Sequence, residues 1–278
     1  MWLGSGSVSG SGRINDYLKK QTYTFKADAR KLRLEEILAG QDLPVKVFGN
    51  VEGAVALSGA DFDPSVALNN LKGDGTIKVV DGKLADFNLL KSVLNKIALI
   101  PDLVTRVEEN LPEKYKDVLN ARDTYLRNVI FEAKIQDGGA EITQVAVETD
   151  GFFLSGSGRY GFDQNIRMAG SLTIPQDLSA AMGASVEELK LLFDDAGQIT
   201  IPISPYEGPL GKIRILPDLE YLGKRIIVNK GTSELEDLIN KALGIEKEEG
   251  QAQDGRPSPE QNPGREIIRG VLDSILGK

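Results

Sequence analysis

The chain has 278 residues, 41% hydrophobic and 27% charged, an ordinary globular balance with length enough for one large domain or two small ones. It contains no histidine and no cysteine, which excludes a Ser-His-Asp triad, a Cys-His pair, a His/Cys zinc site, haem ligation by those residues and any disulfide, and leaves acid/base chemistry to carboxylates, Lys and Tyr. The net charge of −8 and a pI near 4.9 disfavour nucleic acid as a partner, because a phosphate backbone is matched by a basic surface.

From the N-terminus, Met1, Trp2 and Leu3 pass straight into Gly4, Ser5 and Gly6 with no signal-peptide pattern. Val8–Ile14 (VSGSGRI) already reads as strand interior, so we expect native upstream sequence, including a targeting segment, to have been removed. No run of about 20 apolar residues follows anywhere, so no helix is predicted to span a bilayer. Period-2 alternation dominates. Tyr23, Phe25, Ala27 and Ala29 oppose Thr24, Lys26 and Asp28; Val45, Val47, Val51, Val55 and Leu57 oppose Lys46, Asn50 and Glu52. Asp81-Gly82 between two apolar runs predicts a hairpin turn. Leu89–Ile100 has helical spacing, and Pro101–Asn120 is predicted partly helical with a break at Pro112.

Further along, Val129, Phe131, Ala133 and Ile135 oppose Glu132 and Lys134. Phe152, Leu154, Tyr160 and Phe162 share a face, as do Ile166, Met168, Leu172 and Ile174. Such alternation is the pattern of antiparallel strands with one wet face. Ser185–Glu188 and Ser233–Glu236 read as capping boxes ahead of short apolar helices. Glu246–Pro263, rich in Glu, Gln, Gly and Pro, predicts a flexible linker. Ile267, Ile268, Val271, Leu272, Ile275 and Leu276 then form one stripe on an amphipathic helix, suited to a membrane, a partner or the protein's own sheet. The predicted organisation is a β-rich domain over 1–245, the linker over 246–263 and the helix over 264–278.

The unit Val8–Ile14 returns as Leu154–Tyr160 (LSGSGRY), with looser echoes at Ala56–Gly59 and Leu71–Ile77, which suggests a long sheet built by repetition. Gly156–Gly161 matches G-x-G-x-x-G, but the strand pattern continues through Tyr160, Phe162 and Ile166. A phosphate loop requires a helix there, so the glycines read as sites of close backbone approach. Asp61, Asp63, Asp194 and Asp195 lack the further ligands of a cation loop and read as turn residues. Ser157 lacks a nucleophile elbow.

The expected fold is therefore mainly β with a few short amphipathic helices: a long, curved antiparallel sheet, either an open groove or a partly closed barrel or sandwich. About ten strands of roughly eight residues make a face near 1,200 Å², and three helices of about twelve residues cover less than half of it. The remainder either folds over itself or stays open for a ligand.

Three stretches resemble the AsmA family, in its C-terminal region. They are Leu71–Leu84 with Asp86–Leu90; Thr149–Gly158 with Gly170–Ile174; and Ile201–Ile203, Gly208–Leu210 and Leu216–Leu222. They span about Leu57 to Leu243. The resemblance implies a bacterial envelope protein, anchored in the inner membrane by an N-terminal helix absent from this chain, with its bulk in the periplasm. It also implies long apolar grooves that carry phospholipid between membranes, or a part in outer-membrane biogenesis, and supplies no catalytic residues. The expectation is a non-enzymatic module without cofactor or metal, whose partners are phospholipid or another lipid and, through its C-terminal helix, envelope membrane proteins. Candidate groove-lining residues are Phe131, Ile135, Leu154, Tyr160, Met168 and Leu172. The alternatives are a closed structural scaffold that binds no lipid and, last, a hydrolase built on Asp61 or Asp194.

Overall fold

The computed structural model describes residues 2–230 apart from 4–5, 16–17, 20, 41–42, 98–99 and 101. The predicted helix after Ser233, the linker over 246–263 and the stripe of Ile267, Ile268, Val271, Leu272, Ile275 and Leu276 lie outside the described residues.

Among the described residues, ten strands form one antiparallel sheet in strict chain order. They are β1 (Trp2–Leu3), β2 (Gly6–Asn15), β3 (Thr22–Arg33), β4 (Lys46–Ala60), β5 (Lys72–Ala85), β6 (Thr124–Gln136), β7 (Gly139–Thr149), β8 (Phe153–Gly161), β9 (Asn165–Ile174) and β10 (Ile199–Pro209). The first and last strands do not pair, so the sheet is open rather than closed into a barrel. Proline marks β10 as an edge: Pro202, Pro205 and Pro209 cannot donate to a further strand. The returning chain blunts that edge, with Ser204 N donating to Leu216 O at 2.8 Å and Asp218 N to Pro202 O at 2.8 Å.

Short helices fill the connections. α1 (Leu34–Ile37) and α2 (Pro64–Ala67) follow β3 and β4. α3 (Leu89–Leu94), α4 (Leu103–Asn110) and α5 (Glu113–Asn120) link β5 to β6. α6 (Gln176–Ser185) and a 3₁₀ helix (Glu187–Leu192) link β9 to β10, and α7 (Leu219–Lys230) follows β10. The break at Pro112 separates α4 from α5 as the sequence predicts.

Three local expectations change. Asp81-Gly82 is not a hairpin turn: β5 runs straight through it, paired with β4 on one side and β6 on the other, and absorbs Asp81 (φ 52°) as a bulge opposite Gly49. A left-handed residue makes a turn only where the strand has no neighbour holding it extended. Ser185 does not cap a new helix; it closes α6, its hydroxyl donating to Ala181 O at 2.9 Å, and the apolar run after it is a 3₁₀ helix. The helix over Leu89–Ile100 ends at Leu94 and continues only as single turns to Ile97.

The core lies at one end of the sheet. Its main cluster joins Leu90, Val93 and Leu94 of α3, Val107 of α4, Leu119 of α5, Met182 of α6 and Leu222 of α7 to Leu172 and Ile174 of β9 and Ile199 and Ile201 of β10. Two buried hydroxyls tie it together. Ser179 Oγ donates to Ile174 O and accepts from Ile199 N, both at 2.9 Å; Thr124 Oγ1 donates to Phe87 O at 2.8 Å and accepts from Leu89 N at 2.9 Å. Each joins a helix start to a strand end with both hydrogen-bonding capacities satisfied.

Candidate functional site: the apolar face of the sheet

The strand registers stack like residues into rows across the sheet. One row reads Val8, Ala29, Gly53, Ile77, Phe131, Val145, Gly156, Gly170 and Ile203 from β2 to β10. The next reads Gly10, Ala27, Val55, Gly75, Ala133, Ile142, Gly158, Met168 and Tyr206. Both are apolar or glycine throughout. On the other face, neighbouring positions Lys26, Asp74, Lys134, Glu141, Arg159, Arg167 and Glu207 carry charge. Arg167 there holds Glu207 in a two-pronged pair, Nε to Oε2 at 3.0 Å and Nη2 to Oε1 at 2.7 Å. The guanidinium lowers the Glu207 pKa, an exposed contact that contributes little to stability.

Glycine on the apolar face answers to close approach between strands. A Cβ at Gly158 meets Arg167 O of β9 at 2.0 Å, and one at Gly73 meets Ala56 O of β4 at 2.0 Å. The G-x-G-x-x-G run thus lies within β8 and its glycines face the neighbouring backbone. Bulges interrupt the ladder beside Lys31 in β3, at Asp81-Gly82 in β5 and beside Arg127 in β6, and a bulge locally increases the twist of the strand that carries it.

Among the described residues, the apolar face holds a larger and a smaller hollow. One, of about 370 Å³, crosses β2 to β7 and is lined by Val8, Val55, Ile77, Phe131, Ile135 and Ala140, with Ile37 of α1 at its margin. The other, of about 190 Å³, lies on β7 to β10 between Leu154, Met168, Ile203 and Tyr206, with Ile213 and Ile215 of the returning chain as its far wall. The first is open: Ile77 is 41% and Phe25, one row further out, 42% exposed. No residue of β2, β3 or β4 belongs to the main buried cluster among the described residues.

The predicted lining residues divide between these places. Phe131 and Ile135 line the larger hollow and Leu154 and Met168 the smaller; all four are half-buried. Tyr160 is half-buried in an outer row between Ala140 and Ile166. Leu172 is corrected: it shares their strand face but has no exposed surface, because α6 and its neighbours close over that end of β9. Ile77 and Val55 line the larger hollow and were missed, although alternation with charged or polar neighbours places both on the apolar face. Ile213 and Ile215 carried no strand signal, because a tertiary return of the chain brings them over the sheet.

The carboxylates serve turns. Asp61 Oδ1 accepts from Asp63 N at 2.9 Å. Asp194 accepts from Gln198 N at 2.9 Å, Ala196 N at 3.0 Å and Thr200 Oγ1 at 3.1 Å, and the Gln198 amide above all holds its pKa below the usual carboxylate value. A cavity of about 240 Å³ under α5 is lined by Asn88, Asp117, Tyr125 and Asp150.

A model of the AsmA family matches residues 2–145, which takes in β1 to β6 and most of β7. Of the resembling stretches, Leu71–Leu90 falls inside that match and those after Thr149 fall outside it. No curated protein and no solved structure matches the chain. Among the described residues, no helix is long and apolar enough to cross a membrane.

Proposed function

The chain belongs to the AsmA family, and from that premise we propose that it is a non-catalytic, lipid-handling module. Family membership associates it with the bacterial envelope. In this reading the module lies in the periplasm, anchored to the inner membrane by a segment preceding this sequence, and serves phospholipid transport between membranes or outer-membrane biogenesis. The observation that carries the reading is the large hollow with Ile77 and Phe25 still exposed on a face that is apolar from strand to strand. Monomeric proteins seldom leave such a face uncovered without a use for it, and its volume falls in the range of ligand pockets, roughly 300–1,000 Å³. The mechanism is passive: acyl chains lie along the rows, each buried methylene contributing about 0.8 kcal/mol, while headgroups stay in water at the strand ends.

Native mass spectrometry of the chain purified from bacterial membranes tests this. Phospholipid-sized adducts are expected, and Phe131→Asp, with its charge in the hollow, removes them while the far-ultraviolet circular dichroism is unchanged. A clean apo mass together with no lipid uptake from vesicles leaves the scaffold reading, which the sealed cluster of Leu172, Ile174, Ile199 and Ile201 favours at the other end of the sheet.

A further inference from the structure

At one end of the sheet, large apolar side chains stand where turns ordinarily carry polar ones. Ile14 closes β2 and Leu18 follows it, 79% exposed; Phe62, Val66 and Leu68 stand exposed between β4 and β5. Further along the same end, the β6–β7 turn exposes Asp137 and the β8–β9 turn exposes Asp163 and Gln164. The apolar tips are thus confined to the strands that carry the larger, open hollow. We infer that these tips insert into the interface of a phospholipid bilayer and set the hollow's flank against it. The inference deepens the lipid-handling reading by naming where lipid enters, and its test separates the two.

The two connections are built as one corner. Asp61 N donates to Gln21 O at 3.2 Å and Phe62 N to Gln21 Oε1 at 3.4 Å, tying the start of the β4–β5 connection to the approach to β3. The Tyr23 ring stacks on Phe62 with centroids 5.4 Å apart, and it lies over Gly59, where a Cβ would meet it at 2.4 Å. Asp63 O accepts from Val66 N at 3.0 Å and Ala67 N at 2.8 Å, which folds α2 and carries Val66 outward. Folded backbone therefore holds these side chains in water before any partner arrives, so little ordering is left to oppose contact.

Position and size favour a bilayer over a protein. Tyr23 at the corner and Ala27 in the hollow lie on one face of β3, four residues or roughly 13 Å apart, with Phe25 exposed between them. An acyl chain leaving the bilayer at the tips thus meets apolar surface all the way to the hollow. Seen end-on, four strands of a single sheet offer a footprint of about 14 by 10 Å, far below the ~800 Å² per partner of a stable protein interface. A bilayer interface asks for no matching shape, only for apolar groups that reach about 5–10 Å into it. Tyrosine suits that depth, because its ring is apolar and its hydroxyl stays wet. Charge agrees: among the described residues at the corner, Arg13, Lys19 and Lys72 outnumber Asp61 and Asp63, in a chain of net charge −8.

The absence of native cysteine allows a site-specific test in the full-length chain. Leu68→Cys carries a nitrobenzoxadiazole label. The control is the same label on Lys134→Cys, in β6 on the charged face of the sheet. With vesicles of phosphatidylethanolamine and phosphatidylglycerol, the label at 68 is expected to shift to the blue and to be quenched by lipid spin-labelled in the upper acyl region, while the label at 134 does not change. Leu68→Ser is expected to weaken vesicle binding about tenfold, and Phe62→Ser with Leu68→Ser about a hundredfold. No shift at 68, equal shifts at both sites, or unchanged vesicle affinity of the double variant overturns the inference. So does a blue shift at 68 that appears without vesicles and grows with protein concentration, which makes the occupant a second copy. Binding of a fluorescent sixteen-carbon fatty acid in vesicle-free solution separates the two readings. With both correct, the double variant binds it as the unaltered chain does but takes it from vesicles more slowly. Insertion at 68 without fatty-acid binding retains the membrane contact and removes the lipid reading. Fatty-acid binding without insertion at 68 does the reverse.

Discussion

Gly158 of β8 and Gly75 of β5 lie on the same apolar row three strands apart, yet the structure gives them different duties. At Gly158 an added methyl lands 2.0 Å from Arg167 O and 2.9 Å from Met168 Cα, both backbone atoms that cannot swing aside. At Gly75 it meets only Val55 Cγ2 at 3.7 Å and Ala54 O at 3.8 Å, ordinary van der Waals distances. Gly158→Ala is therefore expected to lower stability by about 1–3 kcal/mol, as overpacking does. Gly75→Ala should be neutral or stabilising by up to about 1 kcal/mol, because alanine loses less backbone entropy in a strand. Urea denaturation of both variants checks this; equal loss at the two positions contradicts the assignment of Gly158 to close backbone approach.

At the scale of elements, the helical layer is held by a few polar side chains at helix ends. Asn88 is the clearest. Its Oδ1 accepts from Lys91 N at 2.9 Å and starts α3, while its Nδ2 lies 2.9, 3.2 and 3.0 Å from the carbonyl oxygens of Val118, Leu119 and Ala121, where α5 ends. One amide thus caps the start of one helix and the finish of another. Asn88→Ala is expected to cost about 2–3 kcal/mol, the loss of a cap plus carbonyls left without that donor. Asn88→Asp keeps the acceptor but turns a charged oxygen toward those three carbonyl oxygens, and should lose at least as much as alanine. Thermal melts of the two variants test the order. Bulges act at this scale too: Asp81 lies within β5 because β4 and β6 hold that strand on both sides.

At the scale of the molecule, one sheet has two kinds of apolar surface. Toward β8–β10, helices seal it, and Leu172, Ile174, Ile199 and Ile201 have no exposed surface. Across β2–β5, Phe25 and Ile77 remain about two-fifths exposed on the same face. Leu154, half-buried and packed against the sealed cluster, belongs partly to both, so it discriminates poorly between an open and a closed face. Ile77 and Leu172 discriminate well. Ile77→Asp should fold with a loss of about 1 kcal/mol or less, since its charge reaches water. Leu172→Asp should lose more than about 4 kcal/mol or fail to fold, because an unpaired charge in a dry core is costly. Guanidinium midpoints for the two decide it, and similar losses mean that the face over β5 is closed in solution.

Alternation in the sequence was sufficient to establish an antiparallel, mainly β chain, to place Phe131, Ile135, Leu154 and Met168 on one face, and to separate α4 from α5 at Pro112. The physical reason is local: side-chain direction in a strand alternates at every residue, and proline lacks the donor that continues a helix. The same reasoning put Leu172 with the lining residues and made Asp81-Gly82 a hairpin, because neither burial nor pairing is a property of a residue and its immediate neighbours. Which part of the apolar face is sealed depends on where α3 to α7 land, and whether a left-handed Asp turns the chain or only bulges it depends on strands distant in sequence. The alternation determined that this protein has an apolar face; only the tertiary structure decided that the face is closed at one end and open across the strands at the other.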